Sequence, residues 1–357
     1  MKNWEKRHYW LGTCSQGCSK DIFTFTYARR LGHGEVYLIR QSDGARLLHR
    51  CDISRYKGAE RSDIYFHWTV TKEVQGILGI VCVGIISYYY TNFYNVNVYF
   101  TGDLFFFLMA TTFMICTFCL LLSCIVSWST GGLISKTMFE LIYHAVATIL
   151  LLAASVNLLI KVNNHVLKKN MFDAYMAASI IGIVNSILYL LSAIFAQRQY
   201  RVTITRTVTT SNTTSTLVLN TGYLKTVPGL LKLAQLILGA VCVGLVAWYY
   251  NNRYDYTPTL FFLLMATTFL IGTFCLLVSC LFSLSTGGII SKTIYELIYH
   301  SIGAILLIAA SATLLIHVNK QNSYYNEKYM IAAIIGLING ILYVVSAVLA
   351  RRSYRGI

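Results

Sequence analysis

Residues 106–124 read FFLMATTFMICTFCLLLSC, and residues 262–280 read FLLMATTFLIGTFCLLVSC. Neither stretch holds a charge or a proline. A predominantly apolar helix of about 20 residues crosses the ~30 Å hydrocarbon core of a bilayer, so each reads as a membrane span. Six further runs share this character, giving eight in all at about 74–90, 103–128, 138–160, 174–196, 231–250, 259–282, 294–318 and 329–350. A soluble helical core would show polar stripes at helical spacing, and these runs lack them. Pro228 and Pro258 stand just before runs and never inside them, as unbroken helices require.

The opening match extends along the chain. IIGIVNSILYLLSAIFAQRQYR at 180–201 matches IIGLINGILYVVSAVLARRSYR at 334–355, and IVCVG at 80–84 matches AVCVG at 240–244. STGGLISKTMFELIYH at 129–144 matches STGGIISKTIYELIYH at 285–300. The offset drifts from 160 to 156 to 154, each change falling in a loop. Self-similarity of this kind defines a repeat. The unit is four spans, and an even number of spans sets the two units parallel. The expected division is a basic N-terminal region at 1–67, a first unit at 68–201, a Thr/Ser-rich linker at 202–221 and a second unit at 222–357. The fold class is all-α integral membrane, eight helices in two four-helix bundles. The linker composition fits a flexible tether; its Val/Thr alternation leaves a β-hairpin as the alternative. EVYLIR at 35–40 fits a strand, although residues 1–66 as a whole suggest no fold.

Only 12% of the chain is charged, against 56% hydrophobic, about half the charge of a soluble domain. The formal charge is +15, and its location speaks against nucleic acid. Thirteen Lys/Arg lie in residues 1–72 with no nucleic-acid motif. With eight spans both termini share one side. That side gathers 23 of the 29 Lys/Arg, and cytoplasmic loops carry such an excess. Both termini and the linker are therefore expected in the cytoplasm. Of ten cysteines, seven lie in spans and Cys14, Cys18 and Cys51 in the leader, which argues against a disulfide framework. Cys14 and Cys18 alone do not make a zinc site, which needs four ligands. MKNWEKRHYW lacks the apolar core of a signal peptide.

KLAQLILGAVCVGLVAWYY at 232–250, the short inner loop leading to an acid in ISKTIYELIYH, and the small-residue fourth span ending in RRSYR resemble the MARVEL family of four-span membrane proteins. VTITRT…NTGYLKT, at 202–226, is similar to the N-termini of the insect four-span septate-junction (Snakeskin-like) group, though here it sits mid-chain behind a first unit. The resemblance implies a non-enzymatic protein without cofactor. It would organise membrane domains, cell junctions or vesicle traffic in the plasma membrane or vesicles. Its partners would be the bilayer and other membrane or junction proteins or further copies of itself.

Ionisable groups within spans are functional suspects. Glu140 and His144, and their twins Glu296 and His300, share one helix face at i,i+4. They fit a polar clasp where the third span leaves a tight STGG turn. Lys136 and Lys292 stand within reach as charge partners, and each histidine can donate to the acid or to the fourth span's asparagine. A proton relay or ion site is the functional alternative; two ligands per unit are too few for a metal. In the fourth span Ala178, Gly182 and Ser186, and Ala332, Gly336 and Gly340, recur at spacing four with Asn185 and Asn339 beside them. Small residues so placed let helices approach closely. Tyr88, Tyr89, Tyr90, Trp248, Tyr249 and Tyr250 fit an outer interfacial belt, extended by Tyr94, Tyr99, Phe100, Tyr254 and Tyr256. A transporter or channel of parallel repeats is the competing class. It predicts broken helices and mid-membrane polar clusters that differ between units.

Overall fold

The computed structural model describes residues 27–31, 35–42, 45–51, 53–92, 101–135, 137–164, 169–208, 220–250, 257–320 and 326–356. Cys14, Cys18, Lys136, Asn212, Tyr94, Tyr99, Phe100, Tyr254 and Tyr256 fall outside these described residues or carry no described side chain. The chain divides into two compact units, residues 1–67 and 68–357. The first contains an antiparallel meander of β1 (Tyr27–Leu31), β2 (Glu35–Ser42) and β3 (Ala45–Cys51). Its register pairs Tyr27 with Ile39 and Leu38 with His49. EVYLIR is thus part of a strand, and the all-α architecture describes the membrane portion.

The second unit holds both repeats. The spans of the first are α1 (Ile53–Asn92), α2 (Thr101–Val126), α4 (Met138–Asn164) and α5 (Lys169–Val208). Those of the second are α6 (Val227–Tyr249), α7 (Thr257–Phe282), α9 (Ile294–Lys320) and α10 (Asn326–Arg355). All eight are long and apolar enough to cross a membrane. Pro228 and Pro258 are each the second residue of their helix, where the missing N–H has no intrahelical partner to lose. Thr226 caps α6 by accepting the Gly229 N–H at 3.2 Å. The part of the linker nearest the first unit is helical, because α5 runs on to Val208.

The STGG segments differ from the expected tight turn. They form short helices, α3 (Trp128–Ile134) and α8 (Leu284–Ile290). Ser127 and Ser283 are extended and break the long helix before each. Thr130 and Thr286 are buried, so packing outweighs the poor helix propensity of two glycines, about 1 kcal/mol each.

Twin residues meet at the contact between the repeats. Thr112 and Thr268 lie 3.4 Å apart through their hydroxyls. The rings of Phe139 and Tyr295 sit 5.2 Å apart. Each pair is separated by the repeat offset of 156. An interface in which a residue faces its own equivalent is isologous, the signature of a two-fold axis. Parallel repeats place that axis along the membrane normal. It runs between α2 and α7, the most buried of the spans. The rim is apolar and open: Ile80, Ile149, Ile187, Phe195, Ile237, Ile305 and Ile341 are all exposed, as lipid-facing positions should be.

Candidate functional site

Each repeat buries the same ion pair at the end of the bundle carrying α3 and α8. In the first, Lys72 of α1 reaches Glu140 of α4 at 2.5 Å. In the second, Lys232 of α6 bonds Glu296 of α9. The lysine of each pair is delivered by one helix face. Lys72, Gln75, Gly79, Cys82 and Ile86 are all buried, as are Lys232, Gln235, Gly239, Cys242 and Val246. Their 3-4-3-4 spacing keeps every member on one side of a helix. Below the lysine on that face, Gln75 donates to Ser192 and Gln235 to Ser346, both at 2.9 Å. Cys82 and Cys242 point at the carbonyls of Ala178 and Ala332. The first and fourth spans of each repeat are thus joined along their length.

The histidines sit one turn further into the membrane, and the two copies differ. His144 Nε2 lies 3.6 Å from the Glu140 carboxylate, beyond hydrogen-bond range. His300 Nδ1 instead meets the Glu296 carbonyl at 2.7 Å. Both rings pack against tyrosines: His144 on Tyr143 and Tyr189, His300 on Tyr299 and Tyr343. Those tyrosines form a second polar node. Thr117 bonds the hydroxyls of Tyr143 and Tyr189 at 2.8 and 2.6 Å. Thr273 does the same for Tyr299 and Tyr343 at 3.1 and 2.5 Å. Each tyrosine also reaches the carbonyl of Phe113 or Phe269. One threonine thereby ties the second, third and fourth spans together.

The fourth-span small residues meet helices of their own repeat. A Cβ on Gly336 would lie 2.5 Å from Ser311 Oγ and 2.6 Å from the Phe262 ring. Gly182 faces the twin pair, Ser155 and Phe106. Gly340 packs on Ile308, where a Cβ would come within 2.6 Å. Ala178, Ser186 and Ala332 are buried on the same face. Asn185 and Asn339 donate to the Gln75 and Gln235 carbonyls at 3.3 and 3.4 Å.

A family model for MARVEL, the membrane-associating domain, matches residues 66–195 and again 223–349. The chain belongs to the MARVEL family. No curated protein and no solved structure matches it. It is a multi-pass membrane protein in contact with the bilayer, carrying two copies of a four-span MARVEL domain.

Within each MARVEL copy the glutamate and histidine lie together, but the expected partners need correction. The charge partner of Glu296 is Lys232 from the first span, while Lys292 is exposed. In the first copy it is Lys72. The asparagines bond a first-span carbonyl and not the histidines. Lys72 and Lys232 each stand at the start of a first-span run, among the basic residues counted on the side of the termini. The signal that could have found them is the shared K-x-x-Q-x-x-x-G-x-x-C face, at 72–82 and 232–242. No group of three or more metal-ligating side chains occurs among the described residues. At the other end of the bundle, Trp248 and Tyr88 are exposed, and Tyr329 donates to the Tyr249 carbonyl at 2.8 Å.

Proposed function

We propose that this chain is a non-enzymatic membrane organiser, a structural element of cell junctions or of vesicle traffic, with both termini in the cytoplasm. The observation that carries this reading is that the same helix-to-helix polar bonds recur in both repeats. Lysine pairs with glutamate, tyrosine with threonine, and asparagine with a backbone carbonyl, in the same way in both repeats. Polar residues within membranes are costly, and here they are used to bond helix to helix. A transporter would need such groups at different settings in its two halves. The two halves of this chain repeat each other down to the bonded atoms of the tyrosine node. The exposed Arg351, Arg352 and Arg355 at the end of α10 favour an anionic cytoplasmic leaflet, at about 1 kcal/mol per charge near the surface.

Two measurements test this. The tagged full chain, followed by photobleaching in contacting epithelial cells, should recover more slowly at contacts than on free membrane. Reconstituted into liposomes with a trapped pH dye, it should leave the dye unchanged under a proton gradient. Equal recovery at both places would remove the organising role. A pH-dependent current abolished by Glu296→Gln would replace it with transport.

A further inference from the structure

The two lysine–glutamate pairs share their chemistry but not their surroundings. Lys72 and Glu140 are 1% and 2% exposed, whereas Glu296 is 8% exposed. In the second repeat the chain before the span forms a 3-10 turn, η1 (Thr221–Lys225), followed by the extended Thr226. Asn220 anchors this turn by donating its N–H to the Leu281 carbonyl at 2.7 Å. Between η1, α6, α8, α9 and α10 a cavity of about 260 Å³ opens onto the Lys232–Glu296 pair. Tyr223, Ser346 and Ser353 line it as well.

The open valences of this cavity define its occupant. Lys232 has three N–H donors and gives one to Glu296 Oε1. Its ammonium also lies 6.0 Å from the Tyr223 ring. Glu296, nine-tenths buried, offers its second carboxylate oxygen as an acceptor on the same wall. Ser346 accepts from Gln235 and keeps its own hydroxyl proton to give. A positive donor and a negative acceptor therefore sit side by side, with hydroxyls around them. Leu231, Leu349 and Ala350 supply an apolar margin. The complement of such a wall is a small zwitterion with a primary ammonium next to an anion.

We propose that this cavity binds a phosphoethanolamine group, its ammonium on Glu296 and its phosphate on Lys232 and the serine hydroxyls. Charge-assisted hydrogen bonds of this kind are the stronger class. A trimethylated ammonium has no N–H to give the carboxylate, so phosphocholine is discriminated against. The first repeat holds its pair more deeply buried, and the second shares the pair with a ligand. The site does not depend on the organising role proposed above, because its readout is binding and not localisation.

The test uses the full chain in detergent, analysed by native mass spectrometry. Phosphatidylethanolamine is titrated against phosphatidylcholine of identical acyl chains. The expected result is one retained phosphatidylethanolamine per chain, preferred about tenfold, the equivalent of about 1.4 kcal/mol. Glu296→Gln should abolish the preference but also removes the ion pair. Ser353→Phe therefore serves as the second variant: position 353 is exposed, and the ring fills the cavity mouth without touching the pair. It should abolish the preference while leaving thermal unfolding unchanged. Displacement of the lipid by soluble glycerophosphoethanolamine supports the site with a free ligand as its source. Retention without such displacement supports it with the bilayer as source. Equal retention of the two lipids, or a preference that survives Ser353→Phe, overturns the proposal.

Discussion

Breaking the first-repeat ion pair from either side should cost more than deleting it whole. Lys72 and Glu140 are 1% and 2% exposed, so neither charge can turn to water if its partner is removed. Lys72→Met leaves the buried carboxylate without the ammonium that bonds it at 2.5 Å. Glu140→Gln leaves an ammonium facing a neutral amide. Removing one member of a buried pair costs about 3–5 kcal/mol, whereas exchanging both for neutral residues is often close to free. The double variant Lys72→Met/Glu140→Gln should therefore fall within about 1–2 kcal/mol of the parent. The protein carries its own reporter. Cys82, Cys116, Cys119, Cys242, Cys275 and Cys280 are buried and free, so a thiol-reactive dye fluoresces as the bundle opens on heating. At about 2–4 °C per kcal/mol for chains approaching this size, each single variant should lose about 6–20 °C. The double variant should recover most of that. The twin Lys232→Met should lose less, because Glu296 is 8% exposed and borders a cavity. A double variant that loses the sum of the singles would refute the reasoning, because the two residues would then act independently.

The fourth-span glycines give a contrast of sites. Gly336→Ile and Gly340→Ile should lower the thermal midpoint or the yield, since even a Cβ meets Ser311 or Ile308 within 2.6 Å and overpacking costs about 1–3 kcal/mol. Gly244→Ala has nothing within 4 Å of its Cβ and should be neutral or stabilising by up to about 1 kcal/mol; a drop equal to that of Gly336→Ile would remove packing as the cause. Asn212, in the only Asn-x-Ser/Thr sequon, should carry no glycan in cells, and a mass shift reversed by an N-glycosidase would invert the proposed topology. Residues 222–357 with an added Met should insert without residues 1–200 and then self-associate, because α7 would expose the face that normally meets α2; a monomer by light scattering would place that face against lipid.

The spans were legible because burial in lipid leaves a coarse signal, eight long apolar runs, that survives any detail of packing. The repeat was legible for the same reason, since FFLMATTFMICTFC and FLLMATTFLIGTFC differ only at Phe107/Leu263, Met114/Leu270 and Cys116/Gly272, none of which brings in a charge. The site was half legible. Glu140 and Glu296 stand out as acids inside apolar runs. Lys72 and Lys232 did not, because a lysine at the edge of a span is ordinarily a solvated flank, and burial is decided by helix rotation. The first-span face of Gln, Gly and Cys sets that rotation and turns the lysine inward. The STGG segment misled in the opposite direction. Its composition argues for a turn, and tertiary contacts to Thr130 and Thr286 hold it helical.

The twin contacts bear on how a chain of this form functions as one object. An isologous interface is self-complementary by construction. Across the contact between the repeats twin meets twin: Thr112 of α2 faces Thr268 of α7, and Phe139 of α4 faces Tyr295 of α9. Two identical four-span units would pair in this way as a closed dimer, and joining them in one chain replaces a concentration-dependent association with an intramolecular one. Once joined, the halves are free to diverge wherever the pairing is not affected. The divergence falls there: His144 approaches its acid while His300 meets a carbonyl, and η1 opens a cavity beside one ion pair where its twin is closely buried. The differences gather at the end of the bundle that carries both ion pairs, the part of this membrane body best placed to distinguish one ligand or partner from another.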